Sequence, residues 1–179
     1  MRKTGGVLLA MAMVLPIAVI ASAPAGSATT GLTCTKLGGA VTWSPAVPAA
    51  PKTGKSAITL KGTLSGCTGT PKVVSGVIAL PVIKTAPASN CTLLLTKPPK
   101  ITQTGGSITW ATTKTKSTLG LLTLTPAGPA LYKATAKVTK GQFVGKSLTM
   151  IGAFTPLAPG CPLSKATLSL KKGTKATIK

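Results

Sequence analysis

The sequence predicts an all-β protein, an antiparallel β-sandwich of about eight to ten strands, with a closed β-barrel as the alternative. Short segments rich in Thr, Val, Ile and Leu alternate apolar and polar residues, which is typical of strands with one buried face. The 20 Gly and 15 Pro residues punctuate these segments, as turns do between strands. Asp and Glu are absent, so the Glu–Lys pairs that support helical surfaces cannot form.

The first 28 residues are predicted to be a signal peptide. Arg2 and Lys3 precede an apolar run over Val7–Ala21, and small residues follow as far as Ala28. A basic, an apolar and a small-residue region in this order are typical of secretion signals, and the apolar run is shorter than the roughly 20 residues that span a bilayer. We therefore expect a signal-peptide helix in the precursor, one β-domain over residues 29–179, and no transmembrane helix after processing.

Ten segments of the mature region are predicted as strands because alternating residues lie between Gly and Pro punctuation. In order, they are Ala40–Trp43, Ser56–Ser65, Val73–Ile83, Thr92–Leu95, Ser107–Ala111, Thr118–Thr125, Ala130–Thr139, Gln142–Phe154, Ala166–Leu170 and Ala176–Ile178. The Pro-rich segment Ser44–Lys55 is predicted to be an extended connector, since Pro lacks the N–H that a sheet requires.

Two of these segments predict which side chains face inward. In Ser56–Ser65, the apolar residues alternate with Thr and Lys, and in Ala130–Thr139 they do so again. The residues expected in the core are Ile58, Leu60 and Leu64 from the first segment and Tyr132, Ala134, Ala136 and Val138 from the second. The Lys and Thr between them are expected to face water and to discourage edge-to-edge pairing.

A pattern that ends in Trp occurs twice. Gly38–Trp43 and Gly105–Trp110 both read Gly-Gly, a small residue, a β-branched residue, Thr and Trp. Duplication of a strand unit and the repeated use of a common hairpin sequence both account for it. Under either interpretation we expect each Trp to anchor the core.

Four widely spaced cysteines predict two disulfide bonds: Cys34, Cys67, Cys91 and Cys161. Export to an oxidising compartment favours bridges, and the absence of a Cys-x-x-Cys pair disfavours a zinc site. Four Cys allow three pairings. If the strands next to Cys34 and Cys67 pair antiparallel, these two cysteines meet at one end, which favours Cys34–Cys67 and leaves Cys91–Cys161.

The missing residue types argue against catalysis. Without Asp, Glu or His, the chain cannot build a Ser-His-Asp triad, a glycosidase carboxyl pair or a carboxylate site for calcium or magnesium. General acid–base catalysis also uses these residues most often. We therefore predict a protein that is not an enzyme, with no catalytic residues, no metal site and no cofactor.

The positive charge predicts anionic partners. Loss of Arg2 and Lys3 leaves a formal charge of +19 from the original +21, carried by Lys alone. Such a field attracts anionic cell-wall polymers or lipid head groups. Specific nucleic-acid recognition is not expected, because Arg is absent from the mature region and aromatic residues are few. Lys171, Lys172 and Lys175, in a basic turn, are the candidate anion contacts.

Several sequence segments of the mature region resemble a family of small secreted actinobacterial proteins of uncharacterised function. These segments are Cys34-Thr35, Gly39–Ala46, Ile58–Gly69 and Asn90–Leu94. The resemblance covers most of the mature region and implies an exported β-rich domain from a high-GC Gram-positive source. Its motifs are structural, and it implies no functional residues.

Taken together, these features predict a non-enzymatic, secreted or cell-envelope-associated basic β-domain that binds anionic envelope polymers electrostatically. A membrane β-barrel pore is an alternative suggested by the mean hydropathy of +0.41, although aromatics make up only 3%, too few for the aromatic girdles of such pores. A secreted protein-binding module, in which charge serves only solubility, is another alternative.

Overall fold

The computed structural model describes residues 30–84, 88–158 and 160–179. The predicted signal peptide over residues 1–28 lies outside the described residues. Strands dominate the described part, which also contains one short helix. In chain order the elements are β1 (Gly31–Val47), β2 (Ala57–Thr70), β3 (Ser75–Ala79), β4 (Ile83–Lys84), α1 (Cys91–Thr96), β5 (Ile101–Gln103), β6 (Ser107–Trp110), β7 (Lys116–Gly128), β8 (Leu131–Lys140), β9 (Ser147–Pro156), β10 (Leu163–Leu170) and β11 (Ala176–Ile178).

Eight strands form a closed antiparallel barrel. Around the ring they follow the order β1, β2, β3, β6, β7, β8, β9, β10, and β10 pairs with β1 to close it. The all-β prediction is confirmed, and of the two predicted architectures the structure has the barrel, not the sandwich. The long β1 pairs with β2 along one side and with β10 and β11 along the other, so no free edge remains there.

Three short strands continue the ring past the points where its shorter strands end. β4 pairs with β2 beyond β3, β5 pairs with β7 beyond β6, and β11 lies between β1 and β9 beyond β10. β10 and β11 together therefore act as one barrel strand that is interrupted by the turn at residues 171–175. The interruption places this basic turn on the outside of the barrel, where its lysines are exposed.

The core fills the inside of the barrel as one apolar cluster. All the side chains predicted to face inward from the two alternating segments are buried, from Ile58 in β2 to Val138 in β8. Trp43 and Trp110 are buried as predicted, with 6% and 0% of their surface exposed. Both Trp residues end the repeated pattern, but β1 and β6 run in opposite directions around the ring, so the two rings pack near opposite ends of the barrel.

The two ends of the barrel are named here after these residues. The Trp43 end consists of the connections from β1 to β2, β4 to β5, β7 to β8 and β9 to β10. The Trp110 end consists of the connections from β2 to β3, β6 to β7 and β8 to β9. α1 belongs to the connection from β4 to β5 and therefore lies at the Trp43 end.

The segment Thr92–Leu95, predicted as a strand, is helical instead and lies within α1. The side chain of Asn90 accepts a hydrogen bond of 2.9 Å from the backbone N–H of Leu93, as a helix N-cap does. Leu94 is buried, while Leu93 is 44% exposed. A capped turn with one apolar face thus replaces the strand, because its leucines cover an open barrel end rather than extend a sheet.

Other boundaries differ from the prediction where pairing overrides local composition. β1 extends to Val47 and includes the start of the Pro-rich segment, because Ser44 pairs with Ala57 and Val47 with Leu163. The register of β1 against β10 shifts between Thr42 and Val47, and such an irregularity accommodates a Pro. The predicted strand Val73–Ile83 is divided into β3 and β4, Gln142 lies in a turn, and the short β5 was not predicted.

The structure contains the two predicted disulfide bonds. Cys34 and Cys67 are direct partners on the paired strands β1 and β2. Cys91, the first residue of α1, is bonded to Cys161 in the connection from β9 to β10. The first bridge therefore joins strands that are already hydrogen bonded, whereas the second attaches α1 to the Trp43 end of the barrel. Both bridges are compatible with an extracellular protein.

Candidate functional site: a threonine–lysine strip

Lysines are concentrated on one wall of the barrel. This wall is centred on β9, with β8 on one side and β10 and β11 on the other. Its exposed lysines are Lys133, Lys137, Lys140, Lys165, Lys171, Lys172, Lys175 and Lys179, and Lys146 is half-buried. β3 lies opposite β9 in the ring, and among the described strands β3, β5, β6, β9 and β11 contain no lysine. The lysines of this wall therefore belong to β8 and β10 and to the residues that flank β9 and β11.

A row of paired threonines crosses the same wall. Each threonine is the direct cross-strand partner of the next, so their side chains all point to one face. The row runs through β2, β1, β11, β9, β8, β7 and β5 as Thr68, Thr33, Thr177, Thr149, Thr135, Thr123 and Thr102. Because their sequence neighbours on these strands are mostly buried, the threonines face outward, at spacings of about 4.8 Å.

Lysines border this row on both sides at only one part of its course. On β8, Lys133 and Lys137 lie two residues before and after Thr135. At β11, Lys175 and Lys179 lie two residues before and after Thr177. We call this part the threonine–lysine strip, which consists of Thr135, Thr149 and Thr177 with Lys133, Lys137, Lys175 and Lys179.

The backbone pairing brings these lysines together across β9. Ser147 pairs with Lys137 on one side, and on the other it exchanges backbone hydrogen bonds of 2.7 and 3.1 Å with Lys179. Because β9 alone separates β8 from β11, the two lysine-bearing strands are about 10 Å apart, and the lysines on each are about 13 Å apart along the strand. The four ammonium groups therefore surround a small field of hydroxyl groups.

The lysines predicted from the basic turn lie at the border of this strip. Lys175 belongs to it, and the backbone N–H of Lys171 donates a 2.9 Å hydrogen bond to the carbonyl of Ile151, the partner of Lys133 on β9. Lys172 follows in the same exposed turn. Their role as anion contacts stays a prediction. The sequence did not identify Lys133, Lys137 or Lys179, because only the register of distant strands brings them to one place.

The strip continues into a shallow groove with a volume of about 300 Å³. Leu121, Thr123, Thr135, Lys137, Ser147 and Thr149 are among the residues that line it. Threonine and serine hydroxyls donate and accept hydrogen bonds, and ammonium groups donate up to three. An anionic group in the groove would meet both hydroxyl donors and positive charge.

The cysteines add no free thiol to this strip. All four cysteines are in disulfide bonds, and no cluster of metal-binding side chains occurs in the described part of the chain. Within the same residues, no helix has the length and apolar character needed to cross a bilayer.

Comparisons with protein-family models, with curated proteins and with solved structures find no match to this chain.

Proposed function

We propose that this protein is a secreted, non-enzymatic β-barrel that binds a linear anionic polymer of the cell envelope along the threonine–lysine strip. The observation that carries the proposal is the placement of lysines on both sides of paired threonines on one wall. Lysine attracts phosphate or carboxylate groups through its charge, and the hydroxyl groups between the lysines supply hydrogen bonds along the chain of the polymer.

The shape of the strip favours a linear polymer over a flat surface. The threonine row follows the curvature of the barrel from β2 to β5, so a membrane plane would meet only part of it, whereas a flexible chain can follow it. Because the lysines repel one another, a partner that neutralises several of them at once gains the most binding free energy. The binding of such a partner weakens as the salt concentration rises.

The polarity of the barrel favours this proposal over a membrane pore. The interior is packed with apolar side chains such as Leu64, Ile108 and Leu148, while the lysines of the strands are exposed. A transmembrane barrel has the reverse arrangement, with an apolar outer band and a polar interior. The absence of Asp, Glu and His from the sequence supports a non-enzymatic role, and the source implied by the sequence resemblance stays a prediction.

The test compares two variants with the same net charge. One carries Lys133→Gln, Lys137→Gln, Lys175→Gln and Lys179→Gln, which remove the charges of the strip. The matched control carries Lys52→Gln, Lys84→Gln, Lys97→Gln and Lys100→Gln, all exposed residues near the Trp43 end. Binding of the oxidised mature protein to immobilised polyphosphate is measured over a series of salt concentrations.

We expect the strip variant to bind polyphosphate at least about tenfold more weakly than the control variant, with a smaller dependence on salt. Equal losses in both variants would show that net charge alone attracts the polymer and would contradict the strip. Tighter binding to anionic phospholipid vesicles than to polyphosphate, with the same dependence on strip lysines, would assign the surface to lipid head groups instead.

A second variant tests the hydroxyl groups. Thr135→Val with Thr149→Val removes two hydroxyls but keeps the branched shape that suits a strand. We expect about a threefold to tenfold loss of polyphosphate affinity with unchanged thermal stability, since each hydrogen bond contributes about 1 kcal/mol or less at an exposed site. An unchanged affinity would limit the role of these threonines to pairing the strands.

A further inference from the structure

The Trp43 end of the barrel carries exposed apolar side chains in all four of its connections. Pro51, Leu93, Pro129 and Leu157 each belong to a different connection, and all four are exposed. Leu93 and Leu157 are the largest of them, with exposed fractions of 44% and 61%. Because removing such side chains from water is favourable, this end is suited to contact with an apolar phase.

The outward direction of Leu93 follows from the geometry of α1. Leu93, Leu94 and Leu95 are consecutive, and neighbouring residues of a helix are separated by about 100° around its axis, so the three side chains cannot all face the barrel. Leu94 is buried and Leu95 is half-buried. The packing of these two leucines therefore turns the third toward the solvent.

Hydrogen bonds and a disulfide join the four connections into one surface. The N–H of Cys91 donates to the carbonyl of Pro48 at 2.8 Å, and the N–H of Ala130 donates to the carbonyl of Leu95 at 2.8 Å. Cys91 is also bonded to Cys161 in the connection from β9 to β10. Because α1 is attached to each of the other three connections, the exposed apolar side chains are held in fixed positions.

Lysines border this apolar surface on one side. Lys52 lies in the connection from β1 to β2, Lys84 ends β4, and Lys97 and Lys100 follow α1. These positions are neighbours around the ring, since β4 pairs with β2. All four lysines are exposed, and the chain contains no acidic residue that could neutralise them. The Trp43 end therefore presents positive charge beside exposed leucines.

The Trp110 end is more polar. Exposed threonines occupy much of its connection from β6 to β7, namely Thr112, Thr113 and Thr115. Its large apolar side chains of comparable exposure are Val74 and Val144, which are 55% and 60% exposed and are smaller than leucine. The two ends therefore provide matched positions for one experiment.

We propose that the Trp43 end docks on the surface of an anionic phospholipid bilayer. Leu93 and Leu157 enter the interface between the head groups and the acyl chains, and the four lysines lie against the lipid phosphates. A bilayer offers hydrocarbon directly beneath a layer of negative charge. An anionic polymer offers no apolar contact to the leucines, and an uncharged apolar partner would bury lysines without counter-charges, which is costly.

The first test compares the charges of the end with those of the strip. Binding of the oxidised mature protein is measured by flotation with vesicles of phosphatidylglycerol and phosphatidylcholine, and with vesicles of phosphatidylcholine alone. The two lysine variants of the polyphosphate test, which have the same net charge, are used again with this probe. One removes the strip lysines, and the other carries Lys52→Gln, Lys84→Gln, Lys97→Gln and Lys100→Gln.

We expect the variant without the end lysines to bind the anionic vesicles at least about tenfold more weakly than the strip variant, since one lysine near an anionic surface contributes about a factor of five. The parent protein should bind vesicles of phosphatidylcholine alone at least about tenfold more weakly than anionic ones. With polyphosphate the order of the two variants should be reversed.

The second test removes the apolar contacts without changing the charge. Leu93→Gln with Leu157→Gln is compared with Val74→Gln and Val144→Gln at the Trp110 end, and each double variant is used only if it unfolds cooperatively in urea. We expect the leucine variant to bind anionic vesicles at least about fivefold more weakly than the valine variant. Brominated phospholipids should quench the fluorescence of Leu157→Trp, but not that of Val144→Trp, beyond the quenching of the parent protein.

Equal vesicle binding by the leucine and valine variants, or by the two lysine variants, would overturn the docking surface, and so would the absence of binding to anionic vesicles. If the free protein sediments as a dimer that Leu93→Gln with Leu157→Gln abolishes, the surface belongs to a second copy of the chain instead. The strip lies on the side wall of the barrel, so failure of polyphosphate binding would leave the vesicle result intact.

Discussion

The two ends of the barrel differ in how each packs a buried tryptophan. At each end a Trp meets a Phe edge-on, Trp43 with Phe154 and Trp110 with Phe143. At the Trp110 end the ring is fully buried and its N–H is bonded to Ser117, whose hydroxyl in turn donates to the backbone carbonyl of Gln142. At the Trp43 end the N–H has no partner and a void remains.

The two ends also differ in how tightly the residues around each ring are packed. Gly76 lies directly opposite Trp110, and a Cβ added to it would come within 2.5 Å of the indole, so no spare space lies beside this ring. The Trp43 end is instead covered by a short helix that side chains, hydrogen bonds and a disulfide hold in place.

The largest expected effect is the loss of stability when either disulfide is removed. In the loop-entropy relation, the 70-residue separation of Cys91 and Cys161 and the 33-residue separation of Cys34 and Cys67 are each worth about 4 kcal/mol of unfolding free energy. Replacing both cysteines of either bridge with Ser should therefore lower stability by similar amounts in chemical denaturation.

The two bridges should differ in what their loss exposes. Without Cys91–Cys161, α1 loses its covalent attachment, so acrylamide quenching of Trp43 should rise while Trp110 stays protected. Without Cys34–Cys67, the strands remain hydrogen bonded and neither Trp should gain access. Each disulfide variant is measured in a Trp110→Phe background, which reports Trp43 alone, and in a Trp43→Phe background, which reports Trp110 alone. Equal quenching of Trp43 in the two disulfide variants would contradict the role of α1 as a cover.

The next effect tests the packing of the Trp110 end. Gly76→Ala should destabilise the protein by about 2 kcal/mol, because the added methyl group forces the indole out of its position. Gly38→Ala is the control: it is also a strand glycine of the barrel, and a Cβ there meets nothing within 4 Å. Its stability, measured by urea unfolding, should stay within about 0.5 kcal/mol of the parent protein. Similar values for the two variants would show that the Trp110 end can adjust.

A smaller effect is expected when the stabilities of the two Trp-to-Phe variants are compared. Trp110→Phe removes a satisfied hydrogen bond as well as indole volume, whereas Trp43→Phe removes an N–H that has no partner. We expect Trp110→Phe to cost about 1–2 kcal/mol more than Trp43→Phe in the same unfolding measurement. If Trp43→Phe proved the more destabilising of the two, its N–H would have to be bonded in solution.

The smallest effect concerns Tyr132, which is the single Tyr of the chain. Removal of its unpartnered hydroxyl by Tyr132→Phe should leave stability unchanged or raise it by up to about 1 kcal/mol at neutral pH. Burial raises the pKa of the folded-state phenol, so the native protein should lose stability only as pH rises above the unfolded-state pKa of about 10, by up to about 1.4 kcal/mol per pH unit.

The Tyr132→Phe variant provides the baseline for that loss, because every other group of the chain is common to both proteins. Phenolate absorbance of the native protein should appear well above pH 10, since no other Tyr contributes. Ionisation at the ordinary pKa of a tyrosine would mean that Tyr132 is solvated, which would contradict its burial in the structure.

Much of the fold could be predicted from the chain, but little of the candidate site could. Alternation in the segment that includes Leu60 and in the one that includes Ala134 predicted the buried faces, because residues two apart on a strand share a face. The helix was not predicted, although Asn90 is a typical N-cap residue, because four residues of Thr and Leu suit a strand as well as a helical turn. The strip was not predicted, because Lys137 and Lys179 become neighbours only through their shared pairing with Ser147.

By itself, the sequence determined the strand-forming composition, the inward side chains, the two Trp anchors, the favoured cysteine pairing and the lack of acidic and imidazole chemistry. These are local properties, set by residue type and by the period of a strand. The tertiary structure decided that the sheet closes into a barrel, which threonines and lysines share a wall, and that Trp110 finds a partner while Trp43 does not. Each of these depends on the register of strands far apart in the chain, and a shift of one residue would turn every side chain of a strand to the other face.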